Sequence, residues 1–184
     1  QQDFIMTKIA LIIGSLSRAS INRTVAQHLA AQAPEGVVVE EVQIGDLPLY
    51  TQDLDSESIP AYERVRAQLQ AADAVLIVSP EHNRSMPAAV KNLLDIASRP
   101  AGKSLWGGKK TAVITASPGS YGGINSGLHI RQSLQAMSAD VMIAPEVFLS
   151  RAHTALADGQ VSDARTAAFL NKFAAAFYAW AQAE

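Results

Sequence analysis

Four hydroxyl or amide side chains, Ser15, Ser17, Ser20 and Asn22, fall within the single stretch Gly14–Arg23. An apolar run, Ile9-Ala10-Leu11-Ile12-Ile13, leads into it, and a helical pattern from Thr24 leads out. A strand-to-helix turn presents unpaired backbone N–H groups and the positive end of a helix dipole, which together hold anions. The stretch is read as a phosphate pocket, against the alternative of a polar loop with an ordinary helix cap.

Two further clusters share this placement after an apolar run. In Pro80-Glu81-His82-Asn83-Arg84-Ser85-Met86-Pro87 the bracketing prolines stiffen a polar loop whose amides can face a planar ligand. His82 could act there as a shape or stacking element or as a proton carrier. In Ser117-Pro118-Gly119-Ser120-Tyr121-Gly122-Gly123 the glycines allow the backbone to come close to a flat ring.

Other chemistries find no support. There is no G-x-G-x-x-G fingerprint, and Gly107-Gly108-Lys109-Lys110-Thr111 precedes a strand where a P-loop would open a helix. A solvated turn is the expectation for that lysine pair. His28, His82, His129 and His153 lack metal-ligand spacing, and no G-x-S-x-G elbow occurs. No metal site is expected. Glu81, Asp95 and Glu146 are too dispersed to claim as a carboxylate pair, and Asp95, on a helix, is assigned a structural salt bridge.

The elements that must position these clusters can be read from hydropathy. Strands are expected over Lys8–Ile13, Val37–Gln43, Ala74–Ser79, Thr111–Ser117 and Val141–Phe148. All but the second are near-continuous apolar runs, as parallel strands covered on both faces require. The second alternates and belongs nearer an edge. Helices are expected over Thr24–Ala33, Tyr62–Ala72, Pro87–Ala97, Asn125–Met137 and Ala164–Trp180. Strict alternation of strand and helix predicts a doubly wound α/β domain, a five-stranded parallel sheet in the flavodoxin-like order 2-1-3-4-5 within a three-layer sandwich. The segment between Ile44 and Pro60 is long for such a fold, as functional or mobile loops often are. Ligands then bind beyond the carboxyl ends of strands 1 and 3, where the order reverses, and the three clusters sit at the ends of strands 1, 3 and 4.

The whole chain is consistent with this. Its 184 residues suit one domain, expected over 6–184, with residues 1–5 as a leader and Met6 as the natural start. With 48% hydrophobic residues and a net charge of −2, it is neither a disordered chain nor a nucleic-acid binder. The absence of cysteine excludes thiol catalysis and disulfides. No apolar run reaches membrane-spanning length, and no signal peptide is apparent, so a cytoplasmic location is expected.

With these clusters in place, the sequence resembles the NADPH-dependent FMN reductase family, and within it the bacterial NAD(P)H:quinone and chromate reductases. Three motifs carry the resemblance: Gly14-Ser15-Leu16 with Ser20-Ile21-Asn22; Pro80-Glu81-His82-Asn83 with Ser85, Pro87, Lys91, Asn92 and Asp95; and Ser117-Pro118-Gly119 with Gly122-Gly123. It departs from the family at Ser17, where many relatives carry an arginine that here comes one residue later as Arg18. It departs again at His82, commonly tyrosine, and at Ile96-Ala97, where a tryptophan after the aspartate is frequent.

The resemblance implies FMN as cofactor, with NADPH or NADH as co-substrate. FMN binding then falls to Ser15, Ser17, Arg18, Ser20, Ile21 and Asn22 around the phosphate, to Pro80, Glu81, His82 and Asn83 along the isoalloxazine edge, and to Ser117, Gly119 and Gly122 by its pyrimidine side. It implies hydride transfer through the flavin to quinones, chromate, ferric complexes, free flavin or azo compounds, with no side chain needed as catalytic acid and His82 as a modulator. It also implies a homodimer or homotetramer, with Arg131 and Glu146 at the interface. The competing reading is an FMN-binding electron carrier or interaction module without nicotinamide activity. Such carriers tend to be strongly acidic, which this chain is not.

Overall fold

The structure, a computed structural model, describes residues 5–184, so all but the last residue of the expected leader lies outside it. Its main sheet contains strands β1 (Thr7–Ile13), β2 (Val37–Glu41), β3 (Ala74–Ser79), β4 (Lys110–Ala116), β5 (Asp140–Val141) and β6 (Phe148–Leu149). They are parallel, in the order β2-β1-β3-β4-β5, with β6 also on β4. The expected order is the observed one, and the alternating strand β2 does lie at the edge.

Successive strand residues point to opposite faces, so β1 feeds two cores. Ile9, Leu11 and Ile13 pack with helices α1 (Ile21–Ala31) and α5 (Ala164–Gln182), where Phe173 and Phe177 stack. Ala10 and Ile12 pack on the other face with α2 (Pro60–Ala71), α3 (Ala88–Ala97) and α4 (Ile124–Ala136). The result is three layers, helices on sheet on helices.

Four expectations need correction. The fifth strand is not continuous over Val141–Phe148. It is two short strands separated by a segment containing Pro145, which has no N–H to give a ladder. Helix α1 begins at Ile21 rather than Thr24, because the Ser20 hydroxyl accepts the amides of Asn22 and Arg23 at 3.1 and 3.4 Å and caps it there. The segment 44–60 is tied down. The Asn92 carboxamide accepts from the Tyr50 amide and donates to the carbonyls of Leu47 and Pro48, and a 3₁₀ turn covers Gln52–Ser56.

The lysine pair is not a solvated turn either. Lys109 Nζ donates to the carbonyls of Leu69 and Ala72 at the end of α2, and Lys110 Nζ to those of Trp180 and Ala183 at the end of α5. Adjacent residues on opposite faces thereby serve the C-termini of helices in opposite layers, where a cation is favoured. Burial pushes the Lys109 pKa down from its ordinary value. No helix among the described residues is long and apolar enough to cross a membrane.

After β6, a small antiparallel hairpin, β7 (Leu156–Ala157) and β8 (Gln160–Val161), packs beside α1. It was not anticipated, although its Asp158-Gly159 turn, with φ of 53° and 71°, is the strongest local signal for a two-residue hairpin.

Candidate active site

The loops after β1, β3 and β4 leave neighbouring parallel strands at their carboxyl ends, which brings the three sequence clusters together. Contacts between them are close. The Gly14 amide donates to the carbonyl of Val78 at 2.8 Å, and a β-carbon at Gly14 would stand 2.6 Å from Ser79 Oγ. Only a glycine lets the first loop lie this near the second. The Asn22 side-chain amide donates to the carbonyl of Ala116 at 3.1 Å, joining the start of α1 to the third loop.

In the first loop, Ser15, Ser17 and Arg18 are open or half-open at the surface. The Ser17 amide donates to Ser15 Oγ at 3.3 Å, but the amides of Ser15, Leu16, Arg18 and Ala19 meet no protein acceptor among the described residues. They precede the first turn of α1, so free donors and the helix's positive end share one place. Arg18 makes no ion pair among the described residues, whereas Arg23 is bonded to Glu41 at 2.7 and 3.1 Å and held above its ordinary pKa chiefly by that bond. Ser20 is the helix cap, and Ile21 packs toward the core. Asn22 is buried, and its Oδ1 has no protein partner.

The second loop is a two-residue hairpin. His82 and Ser85 exchange backbone hydrogen bonds of 2.9 and 3.0 Å, with Asn83 and Arg84 at φ of 51° and 67°, a type I′ turn. The amides of Asn83 and Arg84, at its tip, meet no protein acceptor among the described residues. His82 and Asn83 are exposed and Pro80 is half-buried. Glu81 turns away from the tip, accepting the Ser126 amide of α4 at 3.0 Å.

In the third loop Ser117 and Gly119 are accessible, with the Gly119 amide on Ser117 Oγ at 3.0 Å. Gly122 is buried. A β-carbon there would lie 2.5 Å from the Phe148 carbonyl oxygen, and its φ is 64°, so its freedom serves packing on β6. Arg131 and Glu146 face each other within the chain at 3.7 Å, and Lys91 pairs with Asp95 at 2.8 Å as expected of a structural salt bridge.

Further contacts escaped the sequence reading. Tyr121 lies under the Arg84 guanidinium at 5.0 Å, and Ser85 bonds His129 Nδ1 at 2.9 Å, both linking the second loop to the third loop and α4. The β7–β8 hairpin closes a groove of about 470 Å³, with Arg18, Ala19 and Thr24 on the wall opposite. The arrangement offers unpartnered amides in the first loop and at the tip of the second, small residues in the third, and the Ser85–His129 bond at the surface. Such a site suits a bound phosphorylated ring that carries the chemistry itself.

Comparison with known proteins agrees. The sequence model of the NADPH-dependent FMN reductase family matches residues 7–154. A quinone reductase of Pseudomonas putida is 42% identical over 173 residues, spanning 94% of this chain and 93% of that protein. A 2-hydroxy-1,4-benzoquinone reductase of Burkholderia sp. is 40% identical over 174 residues, spanning 94% and 95%. Among solved structures, the flavoenzyme NAD(P)H:(acceptor) oxidoreductase FerB of Paracoccus denitrificans superposes with a TM-score of 0.88 at 35% identity, covering 96% of this chain and 98% of its own.

Proposed function

The chain belongs to the NADPH-dependent FMN reductase family and is an NAD(P)H-dependent FMN oxidoreductase, and from that premise we propose that its three loops hold the FMN and that quinones are its electron acceptors. The observation that carries the site assignment is the row of unpartnered amides at Ser15, Leu16, Arg18 and Ala19 ahead of α1. A phosphate oxygen satisfies such donors without a buried countercharge. The Asn22 Oδ1 fits the same reading as an acceptor awaiting a ligand hydroxyl.

Bound FMN supplies hydride acceptance from the nicotinamide and electron delivery to the acceptor. The protein's part is to bind and orient. The free amides of the first loop, with the hydroxyls of Ser15 and Ser17 and the Arg18 guanidinium, hold the phosphate. The Asn83 and Arg84 amides, fixed by the type I′ turn, donate to the ring edge. Ser117 and the open backbone at Gly119 border the opposite side. His82 shapes the face over which substrates arrive.

Quinones are preferred because the relatives above are named for quinone reduction. In solution the enzyme is a homodimer or homotetramer, with Arg131 and Glu146 near its interface. Small acceptors meet it without a nucleic-acid or membrane partner, and the cytoplasm is its compartment.

The deciding experiment is a spectrum of the purified protein. Flavin bands that bleach on adding NADPH or NADH and return on adding a quinone are expected. Flavin that does not bleach would return the electron-carrier reading, and failure to take up FMN would remove the site assignment. Light scattering at micromolar concentration tests the oligomer, which a monomer refutes.

A further inference from the structure

Helix α4, which follows the third loop, begins without a side-chain cap of its own. Its N-cap position is Gly123 at φ 77°, no side chain there bonds the first turn, and the turn carries no acidic residue. The Ile124 amide turns back to the Tyr121 carbonyl at 3.2 Å, but the Ser126 amide has no acceptor in the local backbone, and the helix's positive end favours an anion there. Glu81 supplies it from 45 positions earlier, its Oε1 taking the Ser126 amide at 3.0 Å. The carboxylate belongs to the residue immediately before the His82–Ser85 turn, so this bond anchors the base of the turn to α4.

We propose that Glu81 is a positioning residue: it clamps the type I′ turn to the N-terminus of α4 and so fixes the tip amides of Asn83 and Arg84 where the flavin ring docks. The two other links from this turn, Ser85 to His129 and Arg84 to Tyr121, are at the surface, where water competes for them. The Glu81 bond is half-buried and charge-assisted. Reach matters more than charge. A side chain one methylene shorter cannot meet the Ser126 amide unless the turn moves, whereas an amide of the same length still presents an oxygen. For its consequence in cofactor binding, the inference rests on the FMN reading above.

The test compares wild type with Glu81→Gln, Glu81→Asp and Glu81→Ala by two readouts, with melting temperature as a check that each is folded. The first is hydrogen exchange of the His82 and Ser85 amides, whose bonds close the turn, and it needs no flavin. The second is the FMN dissociation constant, from quenching of flavin fluorescence. Exchange is expected to quicken, and FMN to weaken, by about tenfold in the Asp and Ala variants, with the Gln variant within about threefold of wild type. Unchanged exchange in Glu81→Ala overturns the clamp, and so does protection kept by Asp and lost by Gln, which would make charge the operative property. A wild type that binds no FMN overturns the functional reading alone, and the exchange pattern then upholds or overturns the clamp by itself.

Discussion

Asn22, in the first turn of α1, donates its side-chain amide to the carbonyl of Ala116, the last residue of β4, at 3.1 Å. The two residues are 94 apart in sequence, yet this bond joins the loop read as the phosphate cradle to the loop opposite it. It also leaves the Asn22 Oδ1 buried and without a partner among the described residues.

Replacing Asn22 with alanine is therefore expected to act twice. The buried carbonyl of Ala116 loses its side-chain donor, a cost of about 1–3 kcal/mol in urea unfolding. FMN affinity falls as well, because the two loops lose their tie. Unchanged stability would show that Ala116 finds another donor.

The glycines of the third loop divide sharply. Gly122→Ala drives a β-carbon against the Phe148 carbonyl oxygen at a positive φ and is expected to lower the melting temperature by several degrees, corresponding to about 1–3 kcal/mol. Gly119→Ala, whose new β-carbon would meet only Ser117 Oγ at 3.4 Å, is expected to melt near wild type. Equal melting of the two variants would contradict the packing.

His82 lies exposed at the turn, and its ring has no hydrogen-bond partner among the described residues that would orient it as a proton donor. His82→Ala is expected to retain flavin and to lose about tenfold or less in turnover, well short of the ~10²–10⁴ that a general acid contributes. A larger loss with flavin retained, measured by steady-state kinetics, would make His82 a proton carrier.

Acid should weaken the tie over the segment 44–60. Asp55 accepts from Arg99 at 2.6 Å and from the Tyr50 hydroxyl at 2.9 Å, and chiefly the Arg99 bond holds its pKa below the ordinary value. A carboxylate depressed in the folded state stabilises it above the unfolded pKa of about 3.9, and that contribution is lost as pH falls through the lower folded value. Urea midpoints of wild type should exceed those of Asp55→Asn at pH 6 and converge with them at pH 2–3.

Alkali should act through Tyr178. Its hydroxyl, buried between α5 and α1, donates to the Leu29 carbonyl at 2.7 Å, and burial pushes its pKa up to about 12. The folded state then holds this proton more tightly than the unfolded chain, whose tyrosine titrates near 10. The stability so gained is complete below about pH 10 and is lost as pH rises toward 12. Tyr178→Phe is expected to cost about 1 kcal/mol at neutral pH and to flatten the alkaline decline of the unfolding midpoint.

The sequence by itself determined the alternation of strand and helix and the three polar clusters that close strands 1, 3 and 4. These features follow from local periodicity and turn chemistry, which a stretch of chain carries in its own side chains. It also held two signals that went unread, Pro145 within the fifth apolar run and Asp158-Gly159 in the small hairpin.

What only the tertiary structure decided is which polar groups remain free for a ligand. Ser20, Asn22, Glu81 and Gly122 look equivalent to Ser15, Asn83 and Gly119 in sequence. Yet Ser20 caps α1, Asn22 commits its side-chain N–H, though not its Oδ1, to Ala116, Glu81 bonds Ser126 and Gly122 packs on Phe148. Except for Ser20, whose acceptance of the Asn22 amide is local, those partners are tens of residues away along the chain. Lys109 and Lys110 make the same point, since the carbonyls that capture them belong to helix ends in opposite layers. A hydrogen bond is satisfied by whatever folding brings within about 3 Å, and that is set by the packing of the layers rather than by neighbours in sequence.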